Sequence, residues 1–166
     1  MVSPSANASR HQHVSVLVIG YGNCLRSDDG VGQCIANRVA ECKFPDVKAI
    51  AIHQLTPELS EDLAHTNTAI FVDASRLNQQ NVQLQSLVAS HSGMVSGHWC
   101  DPPNLLAMTQ ALYGYHPCSW WLTVLGQQFE VGDCFSTVAT QGVEAALQMI
   151  RVLIETARTE QCTKLE

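Results

Sequence analysis

Val14 to Ile19 is apolar except for Ser15 and rich in β-branched residues, the pattern of a strand covered on both faces. It leads directly into Gly20-Tyr21-Gly22-Asn23-Cys24-Leu25-Arg26-Ser27-Asp28-Asp29-Gly30-Val31-Gly32. Beyond that segment Val31, Ile35, Val39 and Cys42 recur at helical spacing, with Gln33, Asn37, Arg38 and Glu41 on other faces. A strand, a glycine turn and a helix start in this order constrain the chain to an α/β arrangement from its first element. Glycine in a helix interior costs roughly 1 kcal/mol relative to alanine. Gly30 and Gly32, both in the first helical turn, therefore imply that something approaches this backbone closely.

The rest of the chain repeats the alternation. Phe44-Pro45-Asp46 closes the first helix, and Val47 to Ile52 reads as a second strand. Thr56-Pro57-Glu58 has the composition of a helix start, with threonine as cap, proline at the first position and an acid in the first turn. Thr68 to Val72 is a third strand ending at Asp73. Val82 to Val88 alternates with Gln83 and Gln85, as an exposed edge strand would. Asp101-Pro102-Pro103 opens another helix, Cys118 to Leu125 is a further strand, and Phe129 to Val131 is expected to add a short extension. Val143, Leu147, Ile150 and Ile154 mark one face of a long final helix. The expected fold is a three-layer αβα sandwich around a mostly parallel sheet of about five strands, one of them antiparallel. A single domain is expected over 14–158, with flexible tails at 1–13 and 159–166.

Composition narrows the function. A net charge of −6 gives no basic face for nucleic acid. No apolar run approaches the roughly 20 residues that span a bilayer, and residues 1–13 lack the apolar centre of a secretory signal. Seven cysteines, an odd number without a Cys-x-x-Cys pair, fit neither a disulfide framework nor a structural zinc site. They are expected to be reduced and mostly buried, in a cytoplasmic protein that binds neither membrane nor nucleic acid.

In a parallel α/β sheet, ligands gather beyond the carboxyl ends of the strands. Asp28 and Asp29 follow the first strand, Asp73 ends the third, and His98 lies between the fourth strand and the next helix, so all can face one edge. One acid suffices to cap the first helix. Asp28 is assigned to capping and Asp29 to the cleft, with the reverse left open. Two carboxylates and an imidazole could hold a divalent metal or position water for attack on a carbonyl. The two acids could alternatively share a proton. A dinucleotide site is disfavoured: Leu25 occupies the third glycine position of G-x-G-x-x-G, and Ile52-His53-Gln54 offers no ribose-binding acid. Neither His-Glu-x-x-His nor Gly-x-Ser-x-Gly occurs. Cys100, near His98, is a weaker candidate nucleophile. Tyr21 either lines the cleft or covers the turn, Trp99 either contacts substrate or fills the loop base, and His53-Gln54 borders the cleft. Trp120 and Trp121 should leave opposite sheet faces.

The segments GYGNCLRSDDGVG (20–32), HQLTPEL (53–59), FVDAS (71–75) and GHWCDPPNLLAM (97–108) together resemble the hydrogenase maturation endopeptidases, from about Val14 to about Val131. HQLTPEL is similar to the form found in proteases serving cyanobacterial-type hydrogenases. The resemblance implies an aspartic-type peptidase that removes a C-terminal extension from the nickel–iron hydrogenase large-subunit precursor after nickel insertion. Nickel would arrive with the substrate rather than reside in the enzyme. The family's metal-contacting acid before the glycine, acid at the third strand end and histidine before the next helix match Asp29, Asp73 and His98. Some members have glutamate where this chain has the shorter Asp29. Asp29 and Asp73 are thereby the candidate catalytic carboxylates, and His91 is a nearby competitor for the histidine role. The alternative function is a non-catalytic nickel-binding accessory protein or metallochaperone using the same three side chains.

Overall fold

A computed structural model describes residues 14–90 and 100–163. Five strands, β1 (Val14–Tyr21), β2 (Val47–Ile52), β3 (Thr66–Ser75), β4 (Val82–Leu87) and β5 (Cys118–Leu125), form one sheet in the order β2-β1-β3-β5-β4. Every neighbouring pair is parallel except β4–β5. The helices are α1 (Val31–Glu41), α2 (Leu59–Ala64), α3 (Pro102–Tyr113) and α4 (Thr137–Thr163). Among the described residues, no helix is long and apolar enough to cross a membrane.

Strand alternation divides the core into two layers. Val16 and Val18 of β1, Ile70 and Val72 of β3, and Leu122 and Val124 of β5 pack with Ile35 of α1 and Ile150 of α4. Leu17, Ile19, Ala69 and Phe71 point the other way, onto Leu59 and Leu63 of α2 and Leu105 and Leu106 of α3. Strands buried on both faces read as continuous apolar runs, which is why β1 was visible as one.

The carboxyl edge of the sheet is staggered. Pairing of β1 with β3 ends at Gly20↔Val72, whereas β3 continues against β5 through Asp73↔Thr123, Ala74↔Val124 and Ser75↔Leu125. Asp73 therefore lies inside a strand that runs three residues past the expected end. β1 also exceeds its expected length, because Gly20 and Tyr21 still pair with Ala51 and Ile52 of β2.

The close approach implied by Gly30 and Gly32 comes from the protein itself. A Cβ on Gly32 would lie 2.3 Å from the Tyr21 carbonyl oxygen and 2.5 Å from that of Val72. One on Gly20 would lie 1.9 Å from the Gly32 carbonyl oxygen. Helix α1 thus sits directly on the ends of β1 and β3, with backbone against backbone. Gly32→Ala is expected to lower stability by about 1–3 kcal/mol or more through overpacking, read as a lower urea midpoint at unchanged slope.

Several expectations are corrected. Thr56-Pro57-Glu58 forms a tight turn, in which the Leu59 amide donates to the Thr56 carbonyl, and α2 begins two residues later than expected, at Leu59. Residues 129–131 add no strand: Phe129 is a buried loop residue, and the loop is tied to the turn after β1, where Arg26 and Gly132 form an isolated bridge and the Gly132 amide donates to the Leu25 carbonyl. Helix α4 runs through Thr163, past the boundary expected at 158. The six described cysteines are unpaired as expected, but none is fully buried, and Cys24, Cys42, Cys118 and Cys134 are exposed. Asp101 caps α3 as expected, accepting from the Asn104 amide at 2.8 Å.

Candidate active site

The turn after β1 is built to present one acid and bury the other. Gly22 has φ +132°, a left-handed conformation, and a Cβ there would lie 1.9 Å from the Asp29 carbonyl oxygen. Its amide donates to the His53 carbonyl, and its carbonyl accepts from the Gln33 side-chain amide at 2.6 Å. A 3-10 turn over Ser27–Gly30 then leads into α1.

Neither acid caps this helix; no side chain makes a cap hydrogen bond to the turn or to α1. Asp28 is wholly buried and reaches the loop before α4. Its carboxylate accepts from the amides of Gln127 (2.7 Å), Gln128 (2.9 Å) and Ser136 (2.7 Å), and from the Ser136 hydroxyl (2.7 Å). Burial alone would push this carboxyl up, but the four donors outweigh it and hold it below the usual carboxylate range. Asp28 is a structural anchor between the glycine turn and residues 127–136.

Asp29 points the other way and is half-buried. Its Oδ2 accepts from the Asn23 amide at 3.0 Å, which fixes the carboxylate against the turn. Asp28 thus does a different job from the helix capping expected of it.

Asp73 lies near the carboxyl end of β3, within electrostatic range of Asp29. Its Oδ1 accepts from the Ala74 amide at 2.7 Å. Burial pushes the Asp73 carboxyl up to about 6, with the Asp29 charge adding to the rise and the Ala74 amide and Tyr21 hydroxyl opposing it. Tyr21 lies on the strand neighbouring Asp73, and burial, followed by the charge of Asp73, raises its phenol far beyond the ordinary range. It is a neutral donor at any physiological pH.

His98, with His91 and Trp99, lies outside the described residues. The flanking residues sit at the start of α3: the Ser90 amide donates to the Pro103 carbonyl at 3.0 Å, and Asp101 acts electrostatically on Tyr21. No cluster of three or more potential metal ligands occurs among the described residues, which include two members of the expected triad. His53 and Gln54 are exposed, and the His53 carbonyl serves the turn through Gly22. Cys100 is half-buried with its thiol pushed up by burial, away from the thiolate form a nucleophile needs. Trp121 packs on the α2–α3 face of the sheet, and its indole nitrogen is buried without a hydrogen-bond partner among the described residues.

The sheet order and the helices on its two faces define an α/β fold shared with solved hydrogenase maturation proteases. A [NiFe] hydrogenase maturation protease, HycI, from Thermococcus kodakarensis KOD1 matches with a TM-score of 0.69 at 18% identity, covering 86% of this chain and 93% of that one. The hydrogenase maturating endopeptidase HybD from E. coli gives 0.67 at 20% identity, with coverages of 86% and 93%. A hydrogenase 2 maturation peptidase from Thaumarchaeota archaeon SCGC_AB-539-E09 gives 0.65 at 20%, with coverages of 85% and 98%. At these identities the likeness establishes the fold. No family model and no curated protein matches the sequence.

Proposed function

We propose that this chain is a hydrogenase maturation endopeptidase of the aspartic type, removing the C-terminal extension of a nickel–iron hydrogenase large-subunit precursor after nickel insertion. The observation that supports the reading is the fold, which sets Asp73 on β3 and Asp29 in the turn after β1 within electrostatic range of one another at the carboxyl edge of the sheet. The fold is that of solved proteases bearing this activity in their names. The two acids also occupy the positions at which the motif resemblance expects metal-contacting carboxylates.

Nickel is part of the substrate in this reading. Carboxylate oxygens and the imidazole of His98 form a donor set suited to a divalent first-row ion. Asp29, held by the Asn23 amide, and Asp73, held by the Ala74 amide, would grip the ion from two sides and set the adjacent peptide bond over the cleft. A carboxyl titrating near 6 is largely ionised at neutral pH yet basic enough to accept a proton from attacking water. That assigns Asp73 the general-base role and leaves Asp29 as recognition ligand.

The test is to incubate the protein with nickel-loaded and nickel-free precursor and to follow the mass of the large subunit. Loss of the extension from the loaded form alone is expected. Equal cleavage of both would reject nickel as the recognition element. Binding with no change in length would favour the accessory-protein alternative.

A further inference from the structure

Tyr21, Asp73 and Trp121 come from three adjacent strands and share one face of the sheet. In β1, Leu17, Ile19 and Tyr21 alternate onto the α2–α3 side; in β3, Ala69, Phe71 and then Asp73 do so; in β5, Trp121 does. Register places Gly20 beside Val72, so Tyr21 is next to Asp73, and Phe71 is paired with Trp121. The Tyr21 hydroxyl lies near the Asp73 carboxylate and the Trp121 indole nitrogen lies near that same hydroxyl, with neither contact closed to a hydrogen bond among the described residues. The indole nitrogen stops short of hydrogen-bond geometry, and it is the one buried side-chain polar atom left without a partner among the described residues.

A buried donor without an acceptor is costly to keep and calls for a reason. Hydrogen bonds of a reactive site are often long before substrate arrives and shorten in the complex. A phenol has both capacities required here, accepting from an indole N–H and donating its own proton to a carboxylate.

Building on the proposed endopeptidase function, we infer that Tyr21 is a positioning residue: backed by the Trp121 indole N–H, its hydroxyl donates to Asp73 and holds that carboxylate in the orientation that the reaction needs. Trp121 acts one step further back, fixing the direction in which the phenol proton points.

The experiment measures processing of nickel-loaded precursor by Tyr21→Phe, Trp121→Phe, the double variant and Asp73→Asn, with thermal unfolding of each. Tyr21→Phe is expected to lower kcat about tenfold, the effect of one hydrogen bond made in the transition state, with KM within about twofold. Trp121→Phe should lower kcat less, and the double variant should be no slower than Tyr21→Phe alone, since the indole works only through the phenol. A purely packing role would instead lower the unfolding temperature and leave kcat unchanged in the folded fraction. Full kcat in Tyr21→Phe, or multiplicative losses in the double variant, would overturn the inference. Full processing by Asp73→Asn would reject the site assignment itself, so the two failures are distinguishable.

Discussion

Asp73→Asn is expected to reduce precursor processing by on the order of 10²–10⁴-fold, the span associated with loss of a positioned proton acceptor. The fold should survive, because asparagine keeps the size of the side chain and an oxygen that can accept from the Ala74 amide. Stability at neutral pH should be unchanged or slightly higher. Burial raises the proton affinity of Asp73, so its ionised form is less comfortable in the folded protein than in water. An inactive variant with undiminished stability is the signature of a residue held for chemistry rather than for folding. Asp29→Asn should also lose processing while remaining folded, its amide oxygen still able to accept from the Asn23 amide. The measurements are intact mass of the large subunit over time and a thermal melt of each variant. Normal processing by both would mean that the reaction occurs elsewhere.

The opposite pattern is expected one residue earlier. Asp28→Ala leaves three backbone amides and the Ser136 hydroxyl without their acceptor in a buried position. A cost of about 3–5 kcal/mol is expected, at the upper end for single substitutions. The pH dependence carries the same information with a definite sign. The folded-state carboxyl of Asp28 titrates below its unfolded value, so its contribution is complete above the unfolded value and is lost as pH falls through the folded one. Unfolding in urea from neutrality down through the carboxylate range should show wild-type stability falling with acid. Asp28→Asn, which has no charge to lose, should start lower and fall less over roughly pH 5 and below. A variant with the acid slope of the wild type would show that the slope has another source.

Local signals in the sequence carried the architecture well. Continuous apolar runs identified β1 and β5 because both faces of those strands are covered, and Asp101-Pro102-Pro103 marked the start of α3 through cap and ring chemistry. Thr56-Pro57-Glu58 misled because its residues satisfy a single turn as readily as a helix start. Phe129 and Val131 flank an acid in a strand-like alternation, yet they belong to a loop held from outside by Asp28 and by Arg76, whose guanidinium stacks 4.2 Å over the Phe129 ring. No periodicity could reveal that, since the partners lie far apart in the chain. The same limit applies to the candidate site. Asp29 and Asp73 were readable because each closes a local motif. The roles of Asp28 and Tyr21 depend on what the fold sets against them, and their residue types alone left the choice open. Cysteine burial was misjudged for a related reason: composition speaks to redox state, while exposure depends on which helix face or loop each thiol occupies.

Two consecutive aspartates, one gripping a distant loop and the next looking into the cleft, give the chain an unusual lever. The partners of Asp28 stand 99 to 108 residues further along, so the glycine turn that carries both acids is tied to the far end of the polypeptide. Until the segment leading into the last helix has docked, the buried carboxylate beside the first acid of the site has none of its four donors. Assembly of the cleft is thereby tied to completion of the whole fold.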